Sequence, residues 1–150
     1  MPLCDSHCHF FSSRFLELLT KDVEGLAVDD RAVAVAARLG WEAPGTPEVL
    51  ADRWVAELDR HGVTRCALIA SIPGDEASVG VAVAKHPARF VGFFMFNPMT
   101  ADAGMRLEHA LGELRLRAVA LFPAMHRYRL DDEAVSQVFE AAAAHGAAVF

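Results

Sequence analysis

Asp5-Ser6-His7-Cys8-His9-Phe10 follows a short apolar lead and precedes a helical stretch, a position that predicts the end of a first β-strand. Successive side chains of a strand point to opposite faces, so Asp5, His7 and His9 are expected on one face and Cys4, Ser6 and Cys8 on the other. The two imidazoles then stand one pleat repeat apart, roughly 6.5–7 Å along the strand. Side chains can lean together over that distance, so both can offer a nitrogen to one metal ion at about 2.0–2.1 Å. Asp5, on the same expected face, can orient a ligand from outside the coordination shell. A small zinc site drawn from Cys4, His7, Cys8 and His9 is the rival reading. Its spacing is not a Cys-x-x-Cys knuckle, and the only other cysteine, Cys66, brings no second ligand pair. A third reading makes both histidines structural, in a metal-free binding domain. A Cys4–Cys8 disulfide fails on strand geometry, since four extended residues separate the Cα atoms by roughly 13 Å, against a limit of about 7 Å.

Beyond the motif, Arg14–Lys21 mixes apolar and charged residues at helical spacing. Asp29-Asp30 is an acidic start for a second helix through Val33, Val35, Ala36, Ala37 and Leu39, stopped by Gly40. Glu42–Pro47 is a loop, because two prolines and a glycine deny it regular structure. Thr46 caps a third helix, with Pro47 at its first position, Glu48 in its first turn, and Val49, Leu50, Trp54, Val55 and Leu58 along one face. His61-Gly62 ends it. The expected organisation is a single domain over 1–150 with a helical insertion at about 12–62, between strands one and two.

From there strand and helix alternate. Arg65–Ala70 and Phe90–Phe96 are nearly continuous apolar runs that suit strands covered on both faces. Arg117–Phe122 reads as a fourth strand, ended by Pro123, and Ala147–Phe150 as the opening of a fifth. Between them run helices over Glu76–Lys85, weakened by Gly80, and over Asp102–Leu116, with Met105, Leu107, Leu111 and Leu114 inward. A last helix starts at Asp131-Asp132-Glu133 and carries Val135, Val138 and Phe139. Such an order belongs to a parallel sheet of right-handed βα units, either an open sheet or a closed barrel. No Gly-x-Gly-x-x-Gly follows the first strand, where a nucleotide-binding sheet needs it. Ligand-type side chains end that strand instead, and barrel active sites lie at the C-terminal rim. The expected fold is therefore α/β, a (β/α)8 TIM barrel of which four to five βα units are present. A whole barrel takes about 250 residues, so the chain is expected to be one part of a larger protein, with an exposed apolar sheet edge and a tendency to form homo-oligomers.

Composition narrows the function classes. Of 150 residues, 53% are hydrophobic and 23% charged, as in a globular domain rather than a disordered chain. A net charge of −6 without a basic stripe gives nucleic-acid binding no electrostatic support. No apolar run approaches the roughly 18–20 residues of a membrane span. Three cysteines without a disulfide framework fit a reducing cytoplasm.

Asp5-x-His7-x-His9 at the end of the first strand resembles the amidohydrolase superfamily. Further stretches resemble its amidohydrolase-2 group, related to aminocarboxymuconate-semialdehyde decarboxylase. They are His61-Gly62-Val63 entering Cys66–Ala70, His86-Pro87-Ala88-Arg89-Phe90 leading to Asn97-Pro98, and Asp132–His145 followed by Gly146-Ala147-Ala148-Val149. The resemblance implies a (β/α)8 barrel with one divalent metal, usually zinc, held in part by His7 and His9. It places the remaining ligands and the catalytic base on later strands, beyond Phe150, so that no catalytic residue falls within the chain. The implied activity is metal-dependent hydrolysis or non-oxidative decarboxylation of a small carboxylated or cyclic substrate. The alternatives are an inactive fragment or the metal-free binding domain. At the rim, Asn97 can face the pocket or serve its turn, and His126, Arg127 and Arg129 can meet an anionic substrate or form a solvated loop. His61, His86 and His145 sit where helix ends explain them.

Overall fold

The apolar runs become five strands: β1 (Leu3–His9), β2 (Val63–Ala70), β3 (Phe90–Phe96), β4 (Ala118–Leu121) and β5 (Ala148–Val149). The computed structural model describes residues 2–26 and 31–150. The strands form one sheet in the order β1-β2-β3-β4-β5, and every neighbouring pair is parallel. Parallel neighbours that are consecutive in sequence require crossover connections. These are helical: α1 (Ser13–Leu19), α2 (Arg31–Arg38) and α3 (Pro47–Arg60) between β1 and β2, and α4 (Glu76–Lys85) between β2 and β3. Further on, α5 (Ala103–Glu108) precedes β4, while α6 (Pro123–His126) and α7 (Glu133–Ala144) lie between β4 and β5. The architecture is α/β, of the (β/α)8 type, with five of the strands. Among the described residues, no helix is long and apolar enough to cross a membrane.

The main core lies between the sheet and its helices. Cys66, Leu68 and Ala70 of β2, Phe90, Phe94 and Phe96 of β3, and Val119 of β4 pack against Ala51 and Leu58 of α3, Val79 and Ala82 of α4, and Val138 of α7. Gly92 of β3 shows how close this approach is. A Cβ there would stand 2.4 Å from Leu116 Cδ2 and 3.1 Å from both Val79 and Val83. Gly80, expected only to weaken α4, serves packing too, since its Cβ would lie 2.9 Å from Leu114 Cδ2. Of the three helices between β1 and β2, α3 joins this core. By contrast, α1 and α2 build a separate cluster from Phe15, Leu16, Leu26, Ala32, Val35 and Ala36.

Several local expectations change. Asp29 and Asp30 lie outside the described residues. The helix read over 102–116 is interrupted: α5 ends at Glu108, and a π-helical turn spans His109–Glu113. Leu107 and Leu111 are buried, whereas Met105, two residues before Leu107 and so on the opposite side of α5, is 72% exposed. Val49 and Phe139 are also about half exposed, at 50% and 48%. Pro123, read as a strand stop, begins α6, because its fixed φ suits a first helical position. The cap of α3 forms as expected, with Thr46 Oγ1 accepting from the Val49 N–H at 3.4 Å.

Candidate functional site

The site grows from an irregularity in β1. Asp5 pairs with Cys66 and Cys8 with Leu68, so three steps on β1 match two on β2. That extra residue is a β-bulge, and it breaks the two-residue alternation on which the face assignment depended. Asp5 and Cys8 therefore come to the same face of the sheet as their partners Cys66 and Leu68; Cys8 is buried there, while Asp5 stays exposed. The expectation that Asp5 shares the histidine face is corrected. Its carboxylate accepts the backbone N–H of His7 at 3.0 Å, a turn-type bond across the bulge. That bond first, then the neighbouring Cys8 thiol, holds its pKa below the usual carboxylate range.

Past the bulge the alternation resumes, and His7 and His9 share the opposite face. Their Nε2 atoms are 3.2 Å apart, with ring centroids at 4.9 Å and planes inclined by 72°. The His9 ring stacks on Phe11 at 5.6 Å, and Phe11 in turn stacks on Phe15 and Trp41 at 4.6 and 5.7 Å. His9 Nδ1 lies 2.6 Å from the hydroxyl of Ser71, the residue that follows β2. Burial, then the neighbouring His7, lowers the His9 pKa, which favours the neutral imidazole that a metal needs.

The donor pair suits one ion. Two nitrogens bound at 2.0–2.1 Å to a single tetrahedral ion stand roughly 3.3–3.4 Å apart, close to the observed 3.2 Å. The rival cysteine site does not assemble. Cys4 is exposed, while Cys8 and Cys66 are buried in the core. Burial first, then their mutual contact and Asp5, pushes the Cys8 thiol up to about 12, and burial raises Cys66 to about 11. Such groups stay protonated, whereas the thiolate is the ligand. Among the described residues, no third His, Cys, Asp or Glu joins the two histidines in a metal-binding group.

The other rim residues stand apart. Asn97 Oδ1 accepts the Met99 N–H at 3.0 Å, so its acceptor serves the turn after β3. His126 ends α6, half-buried, with its ring 6.4 Å from Tyr128, and burial lowers its pKa. Arg129 is committed to Asp131 through bonds of 2.8 and 2.9 Å, while Arg127 is exposed at the end of α6. His61, His86 and His145 each meet a carboxylate, of Glu57, Asp52 and Glu108, at 2.9, 2.7 and 3.0 Å.

Two residues escaped the sequence reading. Ser71 follows an apolar run and carries no motif. Asp75, read as part of a turn, is fully buried in the loop after β2. Its Oδ1 accepts the Ser12 hydroxyl at 2.7 Å, while that oxygen accepts the Phe15 N–H and caps α1. Asp75 thereby ties the loop after β2 to the loop after β1. Burial raises its pKa to about 6, and its Oδ2 has no partner among the described residues.

No protein of curated function matches the chain. Solved structures do. The 5-carboxyvanillate decarboxylase from Sphingomonas paucimobilis aligns over 99% of this chain and 50% of its own, at 21% identity and a TM-score of 0.65. The enzyme of the same name from Novosphingobium aromaticivorans, with bound manganese and 3-methoxy-4-hydroxy-5-nitrobenzoic acid, aligns over 99% and 49%, at 15% identity and a TM-score of 0.64. A probable 2-pyrone-4,6-dicarboxylic acid hydrolase from Acinetobacter baumannii aligns over 99% and 48%, at 17% identity and a TM-score of 0.60. At these identities the likeness is one of fold, and the chain spans about half the length of each structure. The family model described as amidohydrolase matches residues 4–150, from the strand that carries the histidine pair to β5, and the chain belongs to that family.

Proposed function

We propose that the protein is a metal-dependent hydrolase or non-oxidative decarboxylase acting on a small carboxylated substrate. The observation that supports this reading is the convergence of His7 and His9 Nε2 to 3.2 Å at the end of β1, in a chain of this family. His7 and His9 would hold one divalent ion, zinc on the donor chemistry of two imidazoles, with manganese as the alternative that a neighbour of the same fold carries. When bound, the ion supplies Lewis-acid polarisation of a substrate oxygen. The chain's own residues prepare that chemistry. Asp5 fixes the backbone of His7 across the bulge. Phe11 lies flat against His9 and, with the half-exposed Trp41, forms an aromatic wall beside it. Catalytic zinc centres use three protein donors, so we place at least one more outside β1. His126 and Arg127 are the rim groups suited to an anionic substrate. The same reading puts the protein in the cytoplasm, as a homo-oligomer, with a small molecule as its partner and no nucleic acid or membrane.

Metal analysis of the purified protein is the direct test. Stoichiometric zinc or manganese is expected in the wild type, with a loss of at least about 100-fold in affinity for His7→Ala. A wild type without divalent metal, unchanged by His7→Ala, would overturn the reading. Release of CO2 from aromatic carboxylic acids, as against ring opening of lactones, then separates the two activities.

A further inference from the structure

Among the described residues, the hydroxyl of Ser71 touches two groups. Its Oγ lies 2.6 Å from His9 Nδ1 and 3.1 Å from the carbonyl oxygen of Ile69. Among the described residues, the His9 ring makes one further polar contact, through Nε2 to His7 Nε2 at 3.2 Å. A serine has one proton to donate, and a neutral imidazole has one N–H and one lone pair. Only one arrangement uses all three contacts. Ser71 donates to the Ile69 carbonyl, His9 Nδ1–H donates to Ser71 Oγ, and His9 Nε2 keeps its lone pair on the side of His7. In the opposite arrangement Ser71 donates to Nδ1, its contact with Ile69 is lost, and the His9 proton sits on Nε2, where a metal would have to be. Rotating the ring by a half turn places carbon atoms against both Ser71 and His7, so it forfeits both bonds.

We infer that Ser71 is a positioning residue, which holds His9 in the Nδ1–H tautomer and presents Nε2 as the metal-facing lone pair. The inference rests on the metal reading above for its purpose, though not for its geometry. The fold supplies the placement. His9 pairs with Ile69 across β1 and β2, and the Phe10 N–H donates to the Ile69 carbonyl at 3.1 Å, so the second residue past Ile69 arrives beside the ring. Phe11 stacks on His9 and limits its rotation. The same serine thus reads the end of one strand and orients a side chain on the next. A metal-binding histidine whose second nitrogen is held in this way needs no proton rearrangement before it coordinates.

Nitrogen-15 NMR of the metal-free full chain tests the tautomer, and titration with Zn2+ alone tests its consequence. The wild type should show His9 protonated at Nδ1. Ser71→Ala should lose that preference and weaken Zn2+ binding about 10–100-fold. Ser71→Thr, which keeps the hydroxyl, should restore both, with the amide spectrum of each variant serving as the control for folding. Wild-type His9 protonated at Nε2 would overturn the inference, and so would Ser71→Ala with tautomer and Zn2+ affinity unchanged. Absence of Zn2+ binding in the wild type would instead overturn the metal reading, and the tautomer measurement would still decide the role of Ser71.

Discussion

β1 and β3 are strands of the same sheet and of the same length, yet they are built on opposite rules. β3 alternates without interruption: Phe90, Gly92, Phe94 and Phe96 are buried, and Val91, Phe93 and Met95 are half-buried. It sits between two neighbours, and its registers with both are unbroken. β1 lies at the end of the strand order, shifts register twice against β2, and buries only Cys8. Regular alternation serves packing, since every second side chain enters the core. Giving it up at Asp5–Cys8 sends the acidic and thiol groups to one side and leaves the two imidazoles together on the other. Bulges concentrate at barrel rims and beside active sites for this reason. The contrast says that stability resides in the middle of the sheet and chemistry at its edge, so each can be disturbed without the other.

The strongest challenge to that division is Phe94→Ala. Phe94 is fully buried, and removing its ring should cost about 3–5 kcal/mol of stability. Denaturant unfolding would measure the loss, and Zn2+ affinity of the remaining folded protein should stay within a few-fold. A parallel fall in Zn2+ affinity would mean that β3 supports the histidines and the division is wrong. Gly92→Ala should do less, about 1–3 kcal/mol from overpacking against Leu116, Val79 and Val83. An unchanged melting temperature would show that the helices can withdraw from the strand.

The smallest effect belongs to the rim. Asp75 is raised from 3.8 to about 6 chiefly by burial, against the opposing effect of the nearby Ser78 and Ser12, with Glu76 raising it and Arg14 lowering it further. The folded state therefore holds the proton more tightly than the unfolded chain. Stability is unaffected by this group below about pH 4, falls as pH rises through the window from 3.8 to about 6, and stays lower above it. Between pH 5 and 7.5 the wild type should lose about 1 kcal/mol through this carboxyl, and Asp75→Asn should remove that slope while keeping the acceptor for Ser12. Equal pH dependence in the two proteins would show that Asp75 is solvated in solution.

Much of the fold was legible because its signals are local. Arg65–Ala70 and Phe90–Phe96 announced buried strands through apolar continuity, and Thr46-Pro47 announced the start of α3 through cap chemistry. The π-helical turn at His109–Glu113 was not legible, because its residues carry the same amphipathic pattern as an ordinary helix. Leu114 against Gly80 is the contact that gives this segment its place. At the site, His7 and His9 stood out by residue type and spacing. Asp5 was read onto the wrong face because a bulge is a relation between two strands, absent from either alone. Ser71 and Asp75 went unnoticed, since a serine after an apolar run and an aspartate in a Pro-Gly turn are ordinary until a partner more than 60 residues away in sequence meets them.

By itself, the sequence determined the order of strands and helices, the parallel βα architecture, and the two imidazoles at the end of the first strand, because periodicity and residue chemistry are properties of neighbouring residues. Only the tertiary structure decided that the imidazole nitrogens meet at 3.2 Å, that Asp5 comes to the face of Cys8, and that Ser71 lies 2.6 Å from His9. Those facts depend on the register between β1 and β2, and register is fixed by the packing of the whole sheet against its helices rather than by either strand.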